Sequence, residues 1–595
     1  MTQRQPAPGV AARPAWQSDE VPGLRIDTDV VMTTRDGVVL RADVYRPDDD
    51  LPHPALLHRT PYDKANPTLV SVLIADPVAL ARAGYAVVVQ DVRGRFASDG
   101  VLDFGEQEHD DGYDAVEWTA EQPWCNGRVG IYGSSYHAIA AYAALAAAPP
   151  HLEAVFVMTG AADLATTVRP GGLFELGFLA YYSLGQTVEQ IRRSARPPAE
   201  KQALVGRVMN GLVRMPETVA ATPVADVDVL ADGSLAPWWG QWMGDESGSY
   251  VTRSLARPEH DVPLPDIPLM TVVGFRDFMQ QSMMTVFARR PASVSHRLVA
   301  GPWAHNGAYT GHVGARALLG RAGGGVASWQ PVILGWFDRW LMDAPDRVVV
   351  PAARAFLDGP PVSWFESGPD RWARSDSWPP PGVTPVTWFL GAGGRLGADS
   401  GEGSTAYRHD PADPVPTCGG VMTAPMLGPD GIQDQRARQA RADVAVWTSD
   451  VLNEAVTTAG APSVTVFVSS TAEDTDLVVV LSDLEPGGFV VNVAEGALRT
   501  RGRGGATDAW LVPGEITEVT VPLHHTGHTF RVGHRIRVDL AGSSFPRFSR
   551  NLGTRTVPEL GRLEDGVASD QLIHHGADHP SRLVLPVLPV LPRPT

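Results

Sequence analysis

The chain has very little cysteine: Cys125 and Cys418 are the only two among 595 residues, and they stand far apart. That excludes a disulfide framework and a cysteine-built zinc site, and reads as two isolated thiols in a reducing compartment. An excess of positive charge is missing too, since the net charge is -18. A nucleic-acid partner needs a basic face, and docking on an anionic membrane needs the same, so neither is expected. No stretch approaches the roughly 18 apolar residues of a membrane span. The opening Met1-Thr-Gln-Arg-Gln-Pro-Ala-Pro-Gly-Val-Ala-Ala-Arg-Pro14 holds no apolar core of signal-peptide length. The sequence therefore reads as a cytoplasmic protein with a disordered tail over 1–23. No repeat of solenoid period is present.

What remains is an ordinary globular composition, 44% hydrophobic and 19% charged. The length is too great for one core. An Asp36-Gly37 turn between apolar runs predicts a hairpin over 24–47. Strands and helices then alternate: strands at 54–58, 85–90, 129–132 and 154–159, helices at about 69–83 and 111–121. Such alternation predicts a mainly parallel sheet covered on both faces. It lapses over 164–257, which reads as a helical cap. It resumes with strands at 269–274 and 296–300 and a helix over about 328–342, whose tryptophans read as packing against the sheet. Near Ser375-Asp-Ser-Trp-Pro-Pro-Pro-Gly382 the character changes. Beyond it lie short alternating strands at 386–390, 463–469, 476–481, 518–523 and 535–540, the pattern of a β-sandwich. The expected division is an α/β catalytic domain over 24–163 and 258–374, the cap over 164–257, and a β-sandwich over 375–595.

The stretch that carries chemistry is Arg128-Val-Gly-Ile-Tyr-Gly-Ser-Ser-Tyr-His137. An apolar strand meets a glycine, a serine and an alanine-rich helix, the pattern of a nucleophile elbow. The turn needs a small residue two positions before the nucleophile, where strand and helix backbones nearly touch. Gly133 precedes Ser135 by two, whereas Tyr132 precedes Ser134. Sterics thus select Ser135. The motif alone also fits a turn or a serine N-cap, and His137 stands where a second glycine is usual.

A serine hydroxyl needs a base and an orienting carboxylate, which in this fold class follow in the order acid, then histidine. Asp277 comes just after the strand at 269–274, and His305 follows the strand at 296–300. Both would lie at carboxyl ends of parallel strands, where open α/β sheets hold their sites. Taken singly, Asp277 also reads as a helix N-cap and His305 as a loop histidine. His58, His260 and His312 fit the order or the strand ends less well. His137 sits on the serine's own turn, poorly placed as a base but able to line a pocket. The oxyanion needs donors. One is the backbone N–H of Tyr136. A second comes from the loop Arg59-Thr-Pro-Tyr-Asp-Lys64, where the Tyr62 phenol is a candidate, although a tyrosine after proline also reads as packing.

These residues, with Met32-Thr-Thr-Arg-Asp-Gly-Val38, Gln90-Asp-Val-Arg-Gly-Arg-Phe-Ala-Ser-Asp-Gly100, Gly301-Pro-Trp-Ala-His305 and Ser543-Ser-Phe-Pro-Arg-Phe-Ser-Arg-Asn551, give a chain that resembles the cocaine esterase-like hydrolases. That group also includes X-Pro dipeptidyl-peptidases of the same architecture and α-amino-acid ester hydrolases. The resemblance implies an α/β-hydrolase core, an inserted helical cap and a C-terminal jelly-roll. It implies Ser135, Asp277 and His305 as a catalytic triad, and an oxyanion hole made by the Tyr62 hydroxyl and the Tyr136 amide. Two features depart from it. Ala138 stands where the family has glycine, so its methyl is expected to tighten helix-to-strand packing. The stretch Asp163-Leu-Ala-Thr-Thr-Val-Arg-Pro170 supplies no tryptophan-lined acyl pocket, and no acidic cluster for a substrate ammonium is evident.

The expected function is a serine hydrolase of a small or medium carboxylic ester, with amides as a second substrate, and with neither metal nor organic cofactor. Acyl transfer to another acceptor, X-Pro peptidase activity, and a retired enzyme that only binds a ligand are the alternatives. The β-sandwich is expected to wall the cleft, with a homodimer contact as another use.

Overall fold

Thr34 and Val38 close a hairpin through a backbone hydrogen bond of 2.9 Å, and from it a ten-stranded sheet grows. The computed structural model describes residues 21–66, 74–315, 329–347, 350–505 and 508–589. Most of the expected tail, and the first part of the expected helix at 69–83, lie outside the described residues. The first strands are β1 (Leu24–Thr33), β2 (Val39–Pro47) and β3 (His53–Thr60), followed by α1 (Pro77–Arg82) and β4 (Ala86–Asp91). Then come α2 (Gln107–Ala120), β5 (Cys125–Ser135), α3 (Tyr136–Ala147) and β6 (Leu152–Gly160). After an interval of five helices follow β7 (Leu269–Arg276), α9 (Gln280–Ala288), β8 (His296–Ala304) and the short α10 (Gly307–Thr310). The sheet order is β1-β2-β4-β3-β5-β6-β7-β8, continued by β9 (Val362–Glu366) and β10 (Arg371–Ser375).

From β4 through β9 neighbouring strands run parallel. The edge pairs are antiparallel. Parallel strands covered on both faces should be apolar throughout, and every residue of β4, β7 and β8 is buried. One face packs on α2, α3 and α9 through Val116, Ala141 and Met283. The other packs on α1, on α11 (Gln330–Leu341) and on α12 (Pro351–Leu357) through Leu80, Trp336 and Phe356. Trp336 also donates its indole N–H to the Val155 carbonyl at 3.0 Å, so this tryptophan is core.

Between β6 and β7 the described chain is helical and irregular: α4 (Leu164–Val168), α5 (Leu176–Arg193), α6 (Pro198–Val213), α7 (Met215–Ala220) and α8 (Pro237–Gly244). Their common core contains Phe174, Trp238, Trp239 and Trp242. Phe104, from the loop before α2, meets Trp238 edge-on at 4.6 Å, which seats these helices over the carboxyl end of the sheet. The Ser375–Gly382 stretch is packed against the first sheet. Arg371–Ser375 is the edge strand β10, and buried Trp378 packs on Phe275 at 5.6 Å.

Beyond it, thirteen strands between Thr384 and Leu588 form a second, almost wholly antiparallel sheet system. Its inner faces enclose Leu390, Trp447, Val466, Leu481, Val538 and Leu585. This β-rich domain grips the loop after β7. Arg276 donates to the Asn492 carbonyl at 3.0 Å, and Gln280 exchanges hydrogen bonds with the His525 backbone at 2.7 and 3.0 Å. It also grips α5, since buried Arg547 bridges Glu175 and Glu495. Burial holds the Glu175 carboxyl up at about 7, against the pull of Arg547.

Candidate active site

β5 ends at Ser135 and α3 begins at Tyr136 with no loop between them. Ser135 takes φ 55° and ψ −125°, a strained conformation for a residue with a Cβ, of the kind held at functional sites. Gly133 makes the turn possible: a Cβ there would stand 2.4 Å from the carbonyl of His137. The two serines face different partners. Ser134 is buried with its hydroxyl 2.9 Å from Thr159 Oγ1. Ser135 Oγ lies 3.0 Å from His305 Nε2.

His305 follows β8 directly, and its other ring nitrogen, Nδ1, lies 3.1 Å from Asp277 Oδ1. Asp277 follows β7, and the same oxygen accepts the Met279 N–H at 3.0 Å. Asp277 is not the N-cap of α9, a place taken by Met279; its carboxylate orders the turn before that helix and also meets the imidazole. Both side chains are buried, and Phe278 lies against the imidazole at 5.1 Å. Three strand ends thus deliver hydroxyl, imidazole and carboxylate into one line. An imidazole so placed can accept the serine proton while the carboxylate stabilises the resulting cation.

Tyr62 turns its phenol toward the same point. Its hydroxyl lies 3.3 Å from that of Tyr182. Burial pushes its pKa up, opposed by hydrogen bonds to Tyr182 and to the Ser135 hydroxyl. The phenol is therefore a neutral donor at neutral pH. The N–H of Tyr136, at the first position of α3, has no acceptor within the helix. The Tyr136 side chain points the other way, donating to Glu108 at 3.0 Å. His137 lines the cavity but does not approach the Ser135–His305 line. Its Nδ1 lies 2.8 Å from the Ser134 carbonyl and its Nε2 3.0 Å from Thr60 Oγ1. His58 is stacked beneath it at 4.3 Å. Ala138 is accommodated from the opposite side, because β6 ends in Gly160, where a Cβ would stand 2.3 Å from that of Ala138.

A cavity of about 370 Å³ opens over Ser135 and His305. The sequence reading missed most of its wall. Phe178, Tyr181, Tyr182, Gly185 and Gln186 come from α5, and Thr423 and Pro425 from the β-rich domain. The Asp163–Pro170 stretch is not among the lining residues. The described lining contains no carboxylate, lysine or arginine. Among the described residues, no group of three or more His, Cys, Asp or Glu side chains could hold a metal ion. None of their helices is long and apolar enough to cross a membrane.

Residues 36–307 match the family model of the X-Pro dipeptidyl-peptidase (S15 family), and residues 355–584 match that of the X-Pro dipeptidyl-peptidase C-terminal non-catalytic domain. The chain is 32% identical to the cocaine esterase of Rhodococcus sp. (strain MB1 Bresler), over 95% of this chain and 98% of that protein. Among solved structures, an α-amino acid ester hydrolase superposes with a TM-score of 0.77 at 24% identity, covering 97% of this chain and 98% of that one. An aminopeptidase from the marine sediment archaeon Thaumarchaeota archaeon gives 0.76 at 24% identity, covering 95% and 96%. With the esterase alignment running nearly end to end and both domains matched in order, the chain belongs to the cocaine esterase-like (CocE/NonD) family of serine hydrolases.

Proposed function

We propose that this serine hydrolase cleaves a small or medium, uncharged carboxylic ester through an acyl-enzyme on Ser135. Ser135 Oγ attacks the carbonyl carbon while His305 Nε2 takes its proton. Asp277 holds the Nδ1–H tautomer and stabilises the imidazolium. The carbonyl oxygen, now an oxyanion, is met by the Tyr62 hydroxyl and the Tyr136 N–H. Collapse of the tetrahedral adduct expels the alcohol, which leaves with the proton from His305. Water then repeats the sequence, releasing the carboxylic acid and returning the proton to Ser135.

The single observation that carries this reading is the 3.0 Å approach of His305 Nε2 to the Ser135 hydroxyl. The cavity supports the substrate class. Its volume is at the lower end of ordinary small-molecule sites, roughly 300–1,000 Å³, and its described wall offers no ion-pairing partner for a charged group. A relative named for cocaine, an ester, supports an ester as the bond that is cleaved. The family description supports X-Pro dipeptidyl-peptidase activity as the second reading. Such a substrate brings an ammonium group, for which the described part of the wall has no carboxylate.

A panel of nitrophenyl esters of increasing acyl length and of X-Pro nitroanilides separates the two. The expected outcome is turnover of short and medium esters, with little of the anilides, and a loss of at least about 10⁴-fold in Ser135→Ala. Turnover of anilides in preference to esters would transfer the assignment to the peptidase. Unchanged ester turnover in Ser135→Ala would end both.

A further inference from the structure

The reaction as written gives His137, a polar residue at the elbow, no task. It is buried, and each of its ring nitrogens has a partner. The Ser134 carbonyl can only accept, so Nδ1 carries the proton. Burial, reinforced by the neighbouring His58, holds the His137 pKa well below its ordinary value. The ring is therefore neutral, and Nε2 is an acceptor. The Thr60 hydroxyl, 3.0 Å away, must donate to it. Thr60 Oγ1 is then free to accept, and it receives the N–H of Tyr62 at 3.1 Å.

Every donor in this series has one acceptor and the direction is fixed throughout: Tyr62 N–H to Thr60, Thr60 O–H to His137, His137 Nδ1–H to Ser134. One end is the backbone of the residue whose phenol faces Ser135. The other end is the residue immediately before Ser135. The imidazole also supports the Tyr62 ring directly, meeting it edge-on at 5.2 Å with 77° between the planes. Tyr62 lies in the loop after β3, whose other hydrogen bonds, from Arg95 to the Pro61 carbonyl at 3.0 Å and from the Lys64 N–H to Asp91 at 2.8 Å, tie it to the end of β4 and the loop beyond rather than to the nucleophile turn. Oxyanion donors are effective only when their position is set before the charge develops.

We propose that His137 and Thr60 are positioning residues that hold the Tyr62 phenol at the oxyanion site by tying its loop to the nucleophile turn. The proposal rests on the reading of Tyr62 as an oxyanion donor. Neither residue touches the substrate's reacting atoms. Their loss should therefore lower kcat through Tyr62 while leaving KM nearly unchanged.

The test is a set of four variants assayed on one nitrophenyl ester: Tyr62→Phe, Thr60→Val, Thr60→Ser, and the double variant Thr60→Val/Tyr62→Phe. Tyr62→Phe is expected to lower kcat by about 10²-fold, the scale of one oxyanion donor. Thr60→Val keeps the shape and removes the hydroxyl, and should lower kcat on the order of tenfold with KM within about twofold. Thr60→Ser should restore most of that loss. In the double variant the valine should add nothing, because the phenol it positions is gone. Thr60→Val at the wild-type rate beside a slow Tyr62→Phe would overturn the tie and leave the oxyanion reading standing. Losses that multiply in the double variant, or a serine as slow as the valine, would overturn it equally. Tyr62→Phe at the wild-type rate would remove the oxyanion reading and this proposal with it. Should Thr60→Val fail to fold, His137→Leu, made alone and together with Tyr62→Phe, reads the same coupling.

Discussion

Ala138 rests on Gly160: a methyl group built at position 160 would stand 2.3 Å from the Ala138 Cβ and 3.1 Å from the Ser135 carbonyl oxygen. The helix after the nucleophile carries the methyl, and the neighbouring strand gives up its side chain. The close approach of α3 to the sheet is thereby kept, and with it the position of Ser135.

Gly160→Ala should therefore overpack the elbow, with a cost of about 1–3 kcal/mol in stability and a larger loss of esterase activity. Adding Ala138→Gly should recover part of both, because it removes the nearer of the two clashes. Urea unfolding and ester turnover on the single and double variants check this. A Gly160→Ala protein with normal stability and turnover would contradict it.

Gly185 faces the cavity from α5, and a Cβ there meets nothing within 4 Å. Gly185→Ala should be tolerated and raise stability by up to about 1 kcal/mol, through helix propensity. Gly185→Leu should fill part of the cavity. The expected result is a drop of at least about tenfold in kcat/KM for a medium acyl ester, with the acetate ester nearly unaffected. The ratio of the two rates in the leucine variant is the measurement. An unchanged ratio would place the acyl group elsewhere.

Buried histidines and buried carboxyls act oppositely on stability. Burial lowers His58 to about 4, so from about pH 6.5 down to 4 the unfolded chain binds a proton that the native site refuses. That term is fully present above pH 6.5 and is lost as the pH falls. Burial raises Asp91 to about 7, so from about pH 4 to 7 the native site keeps a proton that the unfolded chain has released. That term is present at low pH and is lost as the pH rises. The unfolding free energy of His58→Leu between pH 4.5 and 6 should thus slope upward less than that of the parent, by about 1.4 kcal/mol per pH unit. Asp91→Asn should shift the slope in the opposite direction by a similar amount. Denaturant titrations at four pH values in that interval measure both; slopes parallel to the parent's would contradict the burial assignments.

The sheet was legible because its strands are short, apolar and regularly spaced. The runs at 85–90, 269–274 and 296–300 each begin within one residue of an observed strand. Their ends located Asp277 and His305, and Gly133 separated Ser135 from Ser134. The cavity wall was not legible. Phe178, Tyr181, Tyr182, Gly185 and Gln186 recur at three- and four-residue intervals on α5, and that spacing is the same for a face that packs in a core and one that lines a hollow. Thr423 and Pro425 come from an irregular stretch with no periodicity, brought to the site only by docking of the β-rich domain. The exchange of glycine between α3 and β6 crosses two elements, and no single motif shows it.

The direct test of the account is covalent. A fluorophosphonate probe reacts with a serine hydroxyl only where a base removes its proton, and intact-mass and peptide mass spectrometry report how many sites react and which. The expected result is one adduct per chain, on Ser135, absent in Ser135→Ala and slowed by at least about 10³-fold in His305→Ala. An adduct on Ser134, or rapid labelling of Ser135 in His305→Ala, would contradict it.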